Sequence, residues 1–180
     1  MVEVHQHSAE CVVFTFKEGL LSSVAHDLKL TVGRWSLKLV KGEGVRLEGS
    51  WDPSTLTVAA VMRDGHEASN VLGARDMDKI AKTIREDVLH SDKHREIRFE
   101  GQASVESELA KIEGRLTLAG RTQAVKLTAR RTNDKWVAEV PIHQPDFGIK
   151  PYSAMLGALK IKPDVKVRVT VPVSALGGEV

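Results

Sequence analysis

Ten times along this chain, apolar residues recur at every second position with polar residues between them. That alternation constrains the fold more than any other feature, because side chains of a β-strand point alternately to opposite faces. The runs are Val12-Phe14-Phe16, Leu28-Leu30-Val32, Trp35-Leu37-Leu39, Val45-Leu47-Gly49-Trp51 and Leu56-Val58-Ala60-Met62, then Ile97-Phe99-Gly101-Ala103-Val105. Ile112-Gly114-Leu116-Leu118, Val125-Leu127-Ala129, Trp136-Ala138-Val140-Ile142 and Val165-Val167-Val169-Val171-Val173 complete the set. Turn residues separate them: Lys41-Gly42-Glu43-Gly44, Asp52-Pro53, Gly120 and Asn133-Asp134. Short strands joined by short polar turns predict antiparallel hairpins and an all-β fold. So many strands must hide their edges, and closure into a barrel does so most completely; a two-sheet sandwich is the competing architecture.

One helix interrupts the strands. Over 76–90, Met77, Ile80, Ala81, Ile84 and Val88 share one helical stripe, with Asp76 placed to cap the N-terminus. A lone amphipathic helix in an all-β chain has an economical use as a cover for an open end or side of the barrel. The alternating positions mix Trp35, Trp51, Phe14 and Phe99 with Gly49, Gly101, Gly114, Ala60, Ala103, Ala129 and Ala138. The small residues either leave a hollow or only mark bends in coiled strands, and the sequence leaves both open.

At 180 residues the chain reads as one domain, 1–180, long enough to enclose a core. Its net charge of +2 comes from interspersed residues, which argues against nucleic acid as a partner. Cys11 is the one cysteine, so no internal disulfide and no thiolate-pair metal site can form. His5 with His7, and His90 with His94, have spacings that could suit a metal, yet neither pair has a third ligand in sight, and no metal is expected. No G-x-S-x-G elbow and no phosphate-cradling loop occurs, so no catalytic residue is assigned. The N-terminal MVEVHQHSAE shows neither a basic nor an apolar leader region, which gives a cytoplasmic location as the plain expectation.

The stretch 143-HQPDFGIKPYSAMLGALKIKPDVKVRVTVPV-173 sets a regular strand behind an apolar segment broken by glycine and proline. Together with 26-HDLKLTVGRW-35, 87-DVLHSDKHREIRFEG-101 and 113-EGRLTLAGRTQAVKL-127, it resembles the YceI-like polyisoprenoid-binding proteins over roughly residues 5 to 173. The most specific pieces are the G-x-L-T-L-x-G-x-T-x-x-V-x-L run and D-F-G-I before the last strand. The family often carries Arg two residues before that Asp, where this chain has Gln144. The resemblance implies an antiparallel lipocalin-like β-barrel of about eight strands around a long isoprenoid lipid, with no catalysis and no cofactor other than that ligand.

On this reading the lumen is lined by Phe14, Leu28, Leu30, Trp35, Leu37, Leu47, Phe99, Leu116 and Leu118. His26 is the candidate polar contact to a head group. Phe147, Ile149, Tyr152, Met155, Leu156 and Leu159 are placed at the mouth or wall, where they would touch the lipid tail. A slip of one residue would invert a strand's whole inward set. The expected partner is a polyisoprenoid or similar apolar lipid, with a homodimer and peripheral membrane contact left open. Two rivals remain: a filled barrel acting as an interaction or stress-response module, and an enzyme working on an apolar substrate inside the barrel.

Overall fold

The computed structural model describes residues 1–18 and 25–177. In chain order the strands are β1 (Val2–His5), β2 (Glu10–Thr15), β3 (Lys17–Glu18), β4 (Asp27–Val32), β5 (Trp35–Lys41), β6 (Val45–Trp51), β7 (Leu56–Arg63) and β8 (His66–Ala68). Helix α1 (Ala74–Thr83) follows and continues into a π-helical turn, Ile84–Val88. Then come β9 (Ile97–Glu106), β10 (Leu109–Leu118), β11 (Arg121–Thr132), β12 (Lys135–His143), β13 (Ser153–Ala154), β14 (Leu159–Ile161) and β15 (Asp164–Pro172).

All ten alternating runs fall on strands. They form most of one twelve-stranded antiparallel sheet in the order β1-β5-β6-β9-β10-β11-β12-β15-β2-β4-β7-β8. The sheet curls so that inward residues from β2, β4, β5, β6, β7, β9, β10, β11, β12 and β15 all face one interior. This is the lipocalin-like barrel, with more strands than expected. The additional ones are short: β1 pairs with β5, β8 pairs with β7, and β13, β14 and β3 make a separate small sheet. Four residues or fewer give too little alternation to recognise in a sequence.

The chain crosses between the two flanks of the sheet in tight connections. After β4, Gly33 N–H donates to Thr55 O at 3.1 Å, and Arg34 N–H donates to Thr55 Oγ1 at 3.0 Å. After β6, Asp52 accepts from Ser54 N–H at 2.9 Å and caps a short 3₁₀ turn, Pro53–Thr55. Helix α1 starts two residues before the predicted 76. Its N-cap is Gly73, which has no side chain to bond, so Asp76 sits in the first turn and not at the cap. Ile80, Ile84 and Leu89 pack against Leu28, Leu30, Leu56 and Val61, so the helix covers the β4–β7 flank. Arg85 Nη1 donates to Leu56 O at 2.7 Å and ties the π-helical turn to β7.

The glycines at alternating positions turn out to seat aromatic rings. Gly101 and Gly114 lie directly opposite each other on β9 and β10. A Cβ on Gly101 would come within 2.7 Å of Phe99 Cζ and of Glu113 O; on Gly114, within 2.6 Å of Phe99 Cζ. Gly49 gives the same room to the Trp51 ring. The four alanines Ala103, Ala110, Ala129 and Ala138, by contrast, line the interior itself.

Gly114→Ala therefore forces the Phe99 ring or the β9 backbone aside. The expected cost is about 1–3 kcal/mol, read as a lower urea midpoint with an unchanged slope; an unaltered midpoint would mean that the ring has other room to move.

Candidate functional site

The interior holds an elongated cavity of about 300 Å³ bounded almost wholly by hydrocarbon. Val and Ala residues line it from β9 to β12 and β15, and Leu30, Val32, Leu37, Leu39 and Leu47 line it from β4, β5 and β6. Ile84, Val88 and Leu89 enter from the helical segment. The π-helical turn widens the backbone spiral at that point, a device that recurs where helices serve a site.

A second cavity of about 290 Å³ adjoins the first, between α1 and the 152–161 segment. The two share Thr15, Ile84, Val88 and Gln144, which form the neck between them. The outer chamber is more polar, with His26, Lys79, Thr83 and Tyr152 on its wall beside Leu28, Ile80, Leu159 and Ile161. Gln144 is buried, and its Nε2 donates to the carbonyls of Lys162 and Pro163 at 3.1 and 3.2 Å. It thus clamps the neck by bridging the end of β12 to the start of β15.

Three buried polar atoms in residues around this space have no hydrogen-bond partner in the protein: Thr15 Oγ1, Trp51 Nε1 and Trp136 Nε1. All three residues border the inner chamber. The Cys11 sulfur, also on its wall, is a weak acceptor beside the Trp51 indole. Burial pushes the Cys11 thiol up to about 11, partly opposed by the Trp51 N–H. The one thiol in the lumen is therefore held protonated, the opposite of an activated nucleophile. Among the described residues, no group of three His, Cys, Asp or Glu side chains converges as a metal site. The His5 and His7 rings meet edge to face, 5.5 Å apart.

Of the residues expected at the ligand, Leu30, Leu37, Leu47, Phe99, Leu116, Leu118 and Ile149 border the inner chamber. His26, Leu28, Tyr152 and Leu159 border the outer one. Five lie elsewhere. Phe14 is on the outer face of β2, with the Arg168 guanidinium 5.0 Å above its ring. Cys11, Val13 and Thr15 are the inward residues of that strand. The sequence 11-CVVFTF-16 is apolar at most positions on both faces, so alternation alone does not fix its orientation. Trp35 is buried in the core, stacked 6.3 Å from Trp51, which takes the wall position instead. Phe147 packs with Ile142 and Ile149 below the floor of the site. Met155 and Leu156 point into solvent, because both residues adopt left-handed backbone angles (φ 53° and 54°) that turn their side chains off the barrel.

The two motifs that looked most distinctive meet in space. The 144–147 turn ends at Gly148, whose φ of 71° suits glycine and whose bare Cα lets the Arg121 guanidinium lie against it. Gln123 Nε2 donates to Asp146 O at 2.9 Å. Both motifs thus brace one corner of the barrel below the neck. The residues missed by periodicity were Cys11, Thr15, Gln144 and the helical trio. Of these only the helical stripe carried a signal, and it did not say which part would reach the lumen.

An antiparallel curled sheet around an apolar hollow, with a more polar outer chamber beside it, defines a barrel of the lipocalin-like type. The YceI-like domain family matches residues 8–173, and the chain belongs to that family. Solved structures share the fold. BcnA of Burkholderia cenocepacia superposes with a TM-score of 0.60 at 8% identity, covering 89% of this chain and 94% of that one. A polyisoprenoid binding domain from Saccharophagus degradans, implicated in plant cell wall breakdown, gives 0.59 at 10% identity, covering 95% and 97%. The Campylobacter jejuni YCEI protein gives 0.57 at 13% identity, covering 82% and 84%. No curated protein matches the chain.

The raised Cys11 pKa has a measurable consequence. Between about pH 9 and 11 the folded thiol keeps its proton while the unfolded one loses it, so the thiol's contribution falls as pH rises through that window. Wild type should lose about 2–3 kcal/mol more than Cys11→Ala across it, measured by urea unfolding at each pH. At pH 8 the folded thiol should also resist a disulfide reagent that labels it rapidly in urea; prompt labelling of folded protein would contradict the burial.

Proposed function

We propose that this protein binds an apolar, isoprenoid-type lipid in the barrel lumen and carries or stores it without chemical change. The observation that carries the reading is the almost wholly apolar wall around a hollow that the side chains leave vacant. The polyisoprenoid binding domain named among its structural neighbours supports the choice of lipid class. Burying hydrocarbon yields ~0.8 kcal/mol per CH2-sized group, so this wall needs no specific contact to hold an aliphatic chain. Ordering and association costs take back part of that gain.

The dimensions suggest how much is held. An apolar cavity of about 150 Å³ accommodates benzene. By that scale the inner chamber, at about 300 Å³, takes roughly a dozen carbons, or two to three isoprene units. A longer chain or a head group would occupy the outer chamber, where His26, Lys79 and Tyr152 offer polar contacts. The portion inside is uncharged: a bare anion would meet an almost wholly apolar wall in a low-dielectric pocket, with no cation to pair it. Non-catalytic binding fits a lumen whose one titratable group, Cys11, is kept neutral.

The test is to fill the hollow. Ala103→Phe with Ala138→Phe places two rings where Cβ atoms now border the inner chamber. Farnesol binding, followed by calorimetry, should weaken about tenfold or more, with circular dichroism unchanged. Equal affinity in a folded double variant would remove the lumen as the binding place.

A further inference from the structure

The segment at the outer chamber does something the lumen does not require. Residues 155–158 connect β13 to β14, and at the tip Met155, Leu156 and Gly157 are three consecutive residues in the left-handed region, φ 53°, 54° and 85°. For bulky side chains that conformation is unfavourable, and it persists in proteins mainly where function requires it. Here it has a second cost, since it presents Leu156 at 109% and Met155 at 64% exposure. Among the described residues six large apolar side chains are exposed, and Tyr152, Met155 and Leu156 are three of them, within five positions of one another. Tyr152, Leu159 and Ile161 of the same segment line the outer chamber, so the exposed tip and the mouth are continuous.

The charges borne by the segment itself are of one sign. From Lys150 to Lys162 the chain carries three lysines and no acid. Lys150, Lys160 and Lys162 are all exposed, and among the described residues none has a carboxylate within salt-bridge distance. The nearest acid by register is Glu18, opposite Lys160 in the β3–β14 pair. An apolar tip flanked by lysines that have no ion-pair partner among the described residues matches a surface with an apolar interior beneath an anionic layer.

We propose that the 152–157 segment and its flanking lysines dock the mouth of the barrel on an anionic lipid bilayer, with Met155 and Leu156 inserted among the lipids. The docking stands on the loop itself. Its use, passage of an apolar ligand between bilayer and lumen without crossing water, rests on the lipid-binding reading above.

The experiment is flotation of the full chain with phosphatidylcholine vesicles, alone and with about a third phosphatidylglycerol. Wild type should float with the anionic vesicles and much less with the neutral ones, and high salt should reduce the binding. Met155→Ser with Leu156→Ser should weaken partition about tenfold or more. Lys150→Gln and Lys160→Gln should each weaken it about fivefold. Because neither Met155 nor Leu156 borders the lumen, farnesol affinity should be the same in that variant. Loss of farnesol binding in wild type with vesicle binding intact would remove the lipid-carrier reading and leave the docking. Equal flotation of wild type and the double serine variant, or no preference for anionic vesicles, would overturn the docking. So would sedimentation showing that the loop instead drives pairing with a second copy, abolished by the same substitutions.

Discussion

The structure depends on a mismatch between the size of the ring of strands and the size of the side chains turned into it. Ten strands contribute inward residues to one interior, and on β9 to β12 several of those residues are alanine. Valine and alanine cannot meet across the space, so the hollow persists and stays apolar. Had the alanines been leucines, the same sheet would have closed into a packed core, as small barrels can. The large rings that might have filled it are placed otherwise. Phe99 and Trp51 lie flat over glycines of their own face, and Trp35 stacks on Trp51 at one side.

The helical segment and the neck follow from that constraint. A curled sheet whose edge strands β1 and β8 do not pair with each other needs a cover over the β4–β7 flank. Helix α1 supplies it, and the π-helical turn that continues it brings Ile84 and Val88, with Leu89 just after, to the lumen. The corner formed by Gly148, Arg121 and Gln123 fixes the turn below Gln144, and Gln144 in turn holds the neck. The family's recognisable residues are thus residues of architecture, while the wall that meets a ligand is built from interchangeable aliphatics.

That division explains what could be read in the sequence. Alternation revealed every long strand, because a strand with one wet and one dry face has to alternate. It oriented most of them too: Leu30, Leu37, Leu47, Phe99 and Leu116 are on the wall where period-2 reading puts them. It failed at β2, where both faces are apolar and Phe14 finds its place under Arg168 outside. It also failed at 152–157, where composition suggested burial and left-handed backbone angles turned the side chains outward. Hydrophobicity reports that a residue leaves water in some state of the protein, without reporting whether its shelter is the core, a ligand or another surface.

Binding in this barrel requires a lumen that is vacant, dry and large enough for an apolar guest. Diffraction from crystals under xenon pressure tests it directly, since xenon settles in apolar cavities irrespective of ligand chemistry. Xenon is expected in the hollow bordered by Ala103, Ala129, Ala138, Leu30 and Leu47, with further sites toward Ile84. An interior free of xenon, with the walls in van der Waals contact, would contradict it.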